Sequence, residues 1–322
     1  VSVTSVIRVS APGSVMLMGE HAVLHGHLAI ACAVNKYIHL QLTPRTDDQV
    51  VIDTALGSYS GSLSRLMSPV EISASPEEQR LSFVLAVVRH WAADLPSGFE
   101  LTIVSEFSHQ VGLGSSAAVT AALTVALSEF SQLRLTLEER FDAALAVVHQ
   151  VQQGRGSGTD LAASLQGGLI AYRTEPRQIT ALPGVPPIAL WYAGYKMKTP
   201  DVLAYVETRA EQQPALYQAL YTLMNQTAEA AEQAIRCEAW PQLGHLMNIY
   251  QGLLDALGVN DATLSDMIYR LRADKQVLGV KISGSGLGDC IITLGRASVD
   301  IPYQAIPVGI SPTGTEVSYE QA

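Results

Sequence analysis

From residue 111 the chain reads Val-Gly-Leu-Gly-Ser-Ser-Ala-Ala-Val-Thr-Ala-Ala-Leu, to residue 123. Two glycines one residue apart, two serines and an alanine-rich run predict a tight loop that opens directly into a helix. Glycine lets the backbone approach another group closely, and the first helical turn leaves N–H groups unpaired at the positive end of the helix dipole. Together these bind phosphate. Gly112, Leu113, Gly114, Ser115, Ser116 and Ala117 are therefore the candidate nucleotide-binding segment, with two hydroxyls able to bond phosphate or ligate a cation. The pattern GxxxxGK[ST] is absent, so this is not a Walker A loop. Taken alone, the run fits equally well an ordinary turn with a serine helix cap.

Three further segments carry chemistry. Gly156-Ser157-Gly158-Thr159-Asp160 places a carboxylate on a glycine-rich turn, where it can accept a proton from a hydroxyl or anchor charge around a phosphate. The alternative is a helix cap for 161–165. Ser283-Gly284-Ser285-Gly286-Leu287-Gly288 is a second backbone nest suited to an anion, or a flexible hairpin turn. In Ala11-Pro12-Gly13-Ser14 to Gly26, the polar pair Glu20 and His21 interrupts an apolar stretch. That pair is either a substrate contact or a satisfied buried pair.

Around these segments the pattern alternates between strand and helix. Strands are expected at 5–10, ended by Ala11-Pro12-Gly13, then at 15–18, 28–42, 99–105, 167–173, 188–194, 277–282 and 290–294. Helices are expected at 80–93, after Gly114, and from Thr136, where Glu139 completes a capping box. From 199 to 272 the chain reads as mostly helical, with breaks at Pro214, Pro241 and Gly258. Scattered strands with grouped helices predict an α+β fold. The 322 residues suggest two domains, 1–180 and 181–322. A net charge of -10 argues against a nucleic-acid or anionic-membrane binder but not against a nucleotide substrate. Three widely spaced cysteines exclude a disulfide framework, and no apolar run is long enough to span a bilayer. The start lacks the pattern of a signal peptide, so a cytoplasmic enzyme is expected.

The four motifs, in this order and at these intervals, resemble the GHMP kinases over about residues 6 to 295. The resemblance implies two α+β domains with an active site in the cleft between them, ATP and Mg²⁺ as cofactors, a small-molecule acceptor and a tendency to form homodimers. Gly19-Glu20-His21-Ala22-Val23-Leu24-His25-Gly26 and the run from Met247 to Val259 are similar to the mevalonate kinase branch. The stretch from Gln153 to Ala163, and Gly288-Asp289-Cys290, are similar to the phosphomevalonate kinases. The acceptor implied is mevalonate, with phosphomevalonate as the alternative. Carried over by position, Asp160 is the catalytic carboxylate, Ser116 the Mg²⁺ hydroxyl, and Thr199 lies beside the acceptor. Glu20, His21, Ser14, Gly284, Ser285 and Gly286 fall on the substrate side.

Two positions depart from the family pattern. Ser14 stands where this branch has a lysine that pairs with the catalytic carboxylate. Lys196 and Lys198, next to Thr199, are the candidate replacements. His149 stands where mevalonate kinases carry a glutamate ligand to Mg²⁺, a cation that prefers hard oxygen donors. It is either a modified metal site or a core-facing histidine. These departures keep open a nucleotide-binding relative with little or no catalysis.

Overall fold

The computed structural model describes residues 5–67, 76–108 and 111–320. The N-terminal half opens with β1 (Val6–Met18), a single 3-10 turn at Ala22–His25, and β2 (Ala29–Pro44). It continues through β3 (Gln49–Thr54), β4 (Gly57–Ser62), α1 (Leu63–Met67), α2 (Pro76–Arg80), α3 (Ser82–Trp91) and β5 (Phe99–Ser105). Three helices follow, α4 (Ser115–Phe130), α5 (Leu137–Val151) and α6 (Thr159–Gln166), and then the hairpin β6 (Leu169–Thr174) and β7 (Arg177–Leu182). The C-terminal half contains β8 (Ile188–Lys196), α7 (Thr199–Gln212), α8 (Pro214–Arg236), α9 (Trp240–Leu257), α10 (Ala262–Arg272), β9 (Val277–Ser283), β10 (Gly288–Gly295), β11 (Gln304–Ile306) and β12 (Glu316–Glu320).

The strands form two sheets. The first runs β12-β1-β2-β5-β3-β4, with β6 and β7 joined at the other end of β2. The second runs β11-β8-β10-β9. β2 is long enough to serve two partners: residues 29–32 pair with β6 and residues 38–44 with β5. All pairs are antiparallel except β3 with β5. Residues 180 and 181 pair with Ala171 and Ile170 inside β7, so the chain leaves the first sheet at 183–187 rather than at 180/181. The last strand, β12, then returns to pair with β1. Each sheet has its own helical cover: α4 and α6 pack on β1 and β2, while α9 and α10 pack on β9.

Local chemistry explains the element ends. Thr136 caps α5 through its side chain, and Glu139 closes the capping box. The helical run breaks at Pro214 and Pro241 as expected, and each proline sits in the first positions of the next helix, α8 or α9, where a missing N–H leaves no bond unmade. Gly258 ends α9 in the left-handed conformation (φ 85°). The expectation that Ala11-Pro12-Gly13 ends the first strand fails. β1 runs on to Met18, with a register shift between Pro12 and Gly13 that absorbs the proline. The Pro12 carbonyl takes the Ser164 hydroxyl of α6 at 2.7 Å. The continued strand carries Ser14 and Glu20 toward the junction of the two sheets.

Candidate active site

The loop before α4 is pressed against β1. The Ser14 N–H donates to the Leu113 carbonyl at 3.0 Å, and a Cβ at Gly13 would lie 2.7 Å from that same oxygen. Gly114 is the N-cap of α4 with φ 63°, and a Cβ there would lie 2.2 Å from Ser14 Oγ. Glycine is therefore required at 114 both by backbone conformation and by space. Leu113 is fully buried in the second core cluster, so its side chain anchors the loop and does not line the cleft. Gly112, Gly114, Ser115, Ser116 and Ala117 line a cleft of ≈ 1540 Å³.

Asp160 is the second residue of α6. The N-cap is Gly158 in the left-handed conformation (φ 81°), and no side chain caps the helix. Asp160 therefore does not act as a cap: its Oδ1 accepts the Ser14 hydroxyl at 2.8 Å across the base of the cleft. Burial raises its pKa from the usual carboxylate value. The Ser14 hydroxyl and the Lys196 ammonium lower it, and the Asp289 carboxylate raises it. The loop ahead of it is held by the Tyr172 hydroxyl, which donates to the Ser157 carbonyl at 2.6 Å. His149 holds the same loop, its Nε2–H donating to the Gly156 carbonyl at 3.0 Å. Val148 and Gln152 line the cleft and His149 does not, so the expectation of a metal-ligating histidine gives way to a side chain that orients the loop.

Glu20 and His21 also line the cleft, and both bridge the two halves of the chain. Glu20 Oε1 pairs with Lys281 Nζ, and both residues are buried. His21 Nε2–H donates to the Ser285 carbonyl at 2.9 Å. Desolvation lowers the His21 pKa, more than its bond to Ser285 raises it, so the ring is neutral at neutral pH. The Tyr250 hydroxyl accepts from Gly19 N–H at 3.0 Å and donates to the Glu20 carbonyl at 3.1 Å. Glu20 Oε2 has no protein partner. Of the second nest, Ser283, Gly284 and Ser285 line the cleft. Gly286 instead abuts the Val259 carbonyl, which a Cβ would approach to 2.4 Å, so its place is packing between elements.

Lys196 ends β8, Lys198 is the N-cap of α7 and Thr199 is the first residue of that helix. All three reach the cleft wall. Lys196 Nζ lies 2.7 Å from Asp289 Oδ2. Sequence reasoning did not single out Asp289 or Lys281 as site residues. A lysine inside an otherwise apolar strand, Val-Leu-Gly-Val-Lys-Ile-Ser, is the signal that could have pointed to a buried partner for Glu20. An aspartate that interrupts a glycine-rich turn at Gly288-Asp289 is the signal at 289. Among the described residues, no group of three or more His, Cys, Asp or Glu side chains is arranged to hold a metal, and no helix is long and apolar enough to cross a membrane.

Residues 82–168 match the family described as GHMP kinases N terminal domain, and residues 214–301 match GHMP kinases C terminal. A protein named mevalonate kinase from Thermococcus sibiricus is 32% identical over 330 residues, spanning 98% of this chain and 97% of its own. One of the same name from Pyrococcus furiosus is 33% identical over 328 residues, with coverage of 97% and 96%. The crystal structure of L. major mevalonate kinase in complex with R-mevalonate superposes with a TM-score of 0.76 at 26% identity, covering 95% of this chain and 96% of that one.

Proposed function

Because the chain belongs to the GHMP kinases, we propose that it transfers the γ-phosphoryl group of ATP to the 5-hydroxyl of mevalonate. Full-length likeness to proteins named mevalonate kinase supports the acceptor. The reaction class is supported by one observation above the others: Asp160 lies at the base of the cleft beside a glycine loop that opens a helix.

In this reading the Gly112–Ser116 backbone and the N-terminus of α4 receive the phosphates. The apolar side chains Leu56, Phe83 and Phe107, which also line the cleft, receive the base. A Mg²⁺ ion bound with the nucleotide would supply charge neutralisation for the phosphates. Such an ion keeps several waters and needs only one or two protein oxygens besides the phosphates. The Ser116 hydroxyl and the Asp160 carboxylate, both on the cleft wall, fit that need. The acceptor lies near Thr199, Ser285 and His21, with the unpartnered Glu20 Oε2 as a hydrogen-bond acceptor for one of its hydroxyls.

The acceptor oxygen bonds to the γ-phosphorus as the bond from phosphorus to the β–γ bridging oxygen breaks. The hydroxyl proton passes to Asp160, and ADP leaves with the bridging electron pair. The chain's contribution is positioning and charge stabilisation, which supply most of the catalysis in phosphoryl transfer. A coupled ADP-release assay on mevalonate, phosphomevalonate, galactose and homoserine tests the reading. Turnover with mevalonate at the highest kcat/KM is expected. Preference for phosphomevalonate would reassign the acceptor, and ATP binding without turnover on any of the four would reduce the protein to a nucleotide-binding relative.

A further inference from the structure

A phosphoryl group in transfer spreads negative charge over three oxygens and needs fixed positive charge beside it. β1 supplies only the Ser14 hydroxyl there. The two lysines on the opposite wall differ in how they are held. Both are exposed, and Lys198 sits at the start of α7. Lys196 is tied to the base of the cleft by its 2.7 Å contact with Asp289, and its charge is felt at Asp160.

Asp289 is unusual in its own right. Its side chain is 4% exposed, its backbone is left-handed (φ 70°), and both carboxylate oxygens would lie 2.4 Å from a Cβ at Gly112. A non-glycine residue in that conformation is strained unless its surroundings fix it. A bare carboxylate beside a phosphate loop would repel the nucleotide, and the Oδ1 atom has no protein partner. The Lys196 ammonium turns that repulsion into a neutral pair with a proton donor facing the cleft. Strand pairing brings the two close: Lys196 stands opposite Gly288, which packs against Tyr195 with no room for a Cβ, and Asp289 lies in the register shift between Gly288 and Cys290.

We propose that Lys196 is the cation that serves the transferring phosphoryl group in this chain, with Asp289 as the residue that positions it. The charge that β1 lacks at position 14 is thus delivered from the end of β8, on the other sheet. Ser14 keeps the hydrogen bond to Asp160, and Lys196 supplies the charge.

The inference rests on the kinase reading, and its test separates the two. Parent, Lys196→Met, Lys196→Gln, Asp289→Asn, Asp289→Glu and the double variant Lys196→Met/Asp289→Asn are compared for kcat, KM and thermal midpoint with mevalonate and MgATP. Equilibrium binding of ADP is measured with and without aluminium fluoride, which mimics the phosphoryl group in transfer. Both Lys196 variants are expected to lose about 10²- to 10³-fold in kcat. Their ADP affinity should change little, and the added affinity conferred by aluminium fluoride should disappear. Asp289→Asn should lose less, Asp289→Glu should recover part of it, and the double variant should be no worse than Lys196→Met alone. Parental kcat in the Lys196 variants would overturn the inference while leaving the kinase reading intact. So would multiplicative losses in the double variant, which would make Asp289 act independently of Lys196. A parent that turns over no acceptor would instead defeat the kinase reading, and the aluminium fluoride comparison would then show no added affinity in any variant.

Discussion

At the scale of single residues, Ser14 and Asp160 form the tightest test of the site. A carboxylate that accepts a proton must be ionised, so activity rises with pH through its pKa. Burial raises that pKa and the Ser14 hydroxyl lowers it. The acid limb of kcat/KM is therefore expected above the ordinary carboxylate range. Ser14→Ala removes a bond to the charged form, so the limb should move to still higher pH; a limb that stays in place would show that the bond does not form in solution. Asp160→Asn should keep ATP affinity and lose about 10²- to 10⁴-fold in kcat. Near-parental kcat in that variant would return Asp160 to a structural role. Asp160 was legible in the sequence because its glycine-rich turn is local. Its partner Ser14, 146 positions away, was placed beside it only through the family resemblance and by no local pattern.

At the scale of elements, the proposed nucleotide site rests on the junction from the Gly112 loop into α4. Gly114→Ala forces a side chain into φ 63° and toward Ser14 Oγ, at a cost of about 1–3 kcal/mol in local strain. The loop should shift, withdrawing at least one N–H from a phosphate. A charge-assisted bond of that kind is worth about 1.5–3 kcal/mol, so ATP affinity should fall by about 10- to 100-fold. Titration calorimetry checks this, with denaturant midpoints to show that the fold survives; unchanged affinity would remove the loop from the phosphate site. The helix start at Thr136 and the break at Pro214 were readable in the same local way, from a cap and from a missing N–H. The strands β3, β4 and β7 were not. They are short and polar on one face, and they form only because neighbours supply the ladder.

At the scale of the whole molecule, the two sheets are joined by a buried charge pair, Glu20 in the turn just after β1 with Lys281 in β9. Desolvation lowers the Lys281 pKa, and Glu20 raises it. Removing one partner leaves a buried charge without compensation, which typically costs about 3–5 kcal/mol. Lys281→Met is expected to lose stability on that order. The double variant Glu20→Gln/Lys281→Met should regain part of it, because no net charge then remains buried. Chemical denaturation of the three proteins measures both effects. A double variant less stable than Lys281→Met would show that the pair is not the strut between the halves.

Four glycine-rich or polar motifs, by their order and spacing, pointed to the reaction class and marked the candidate phosphate loop and carboxylate, because each motif is a run of a few adjacent residues. Tertiary structure decided the assignments that depend on distant partners. It took Leu113 into the core, turned His149 onto the Gly156 carbonyl, and seated Gly286 against Val259. It also brought Lys196 to Asp289 and Lys281 to Glu20, pairs separated by 93 and 261 positions. Charge pairing at such range leaves no periodic mark in a sequence. It is fixed by strand register and by the requirement that a buried charge find its opposite.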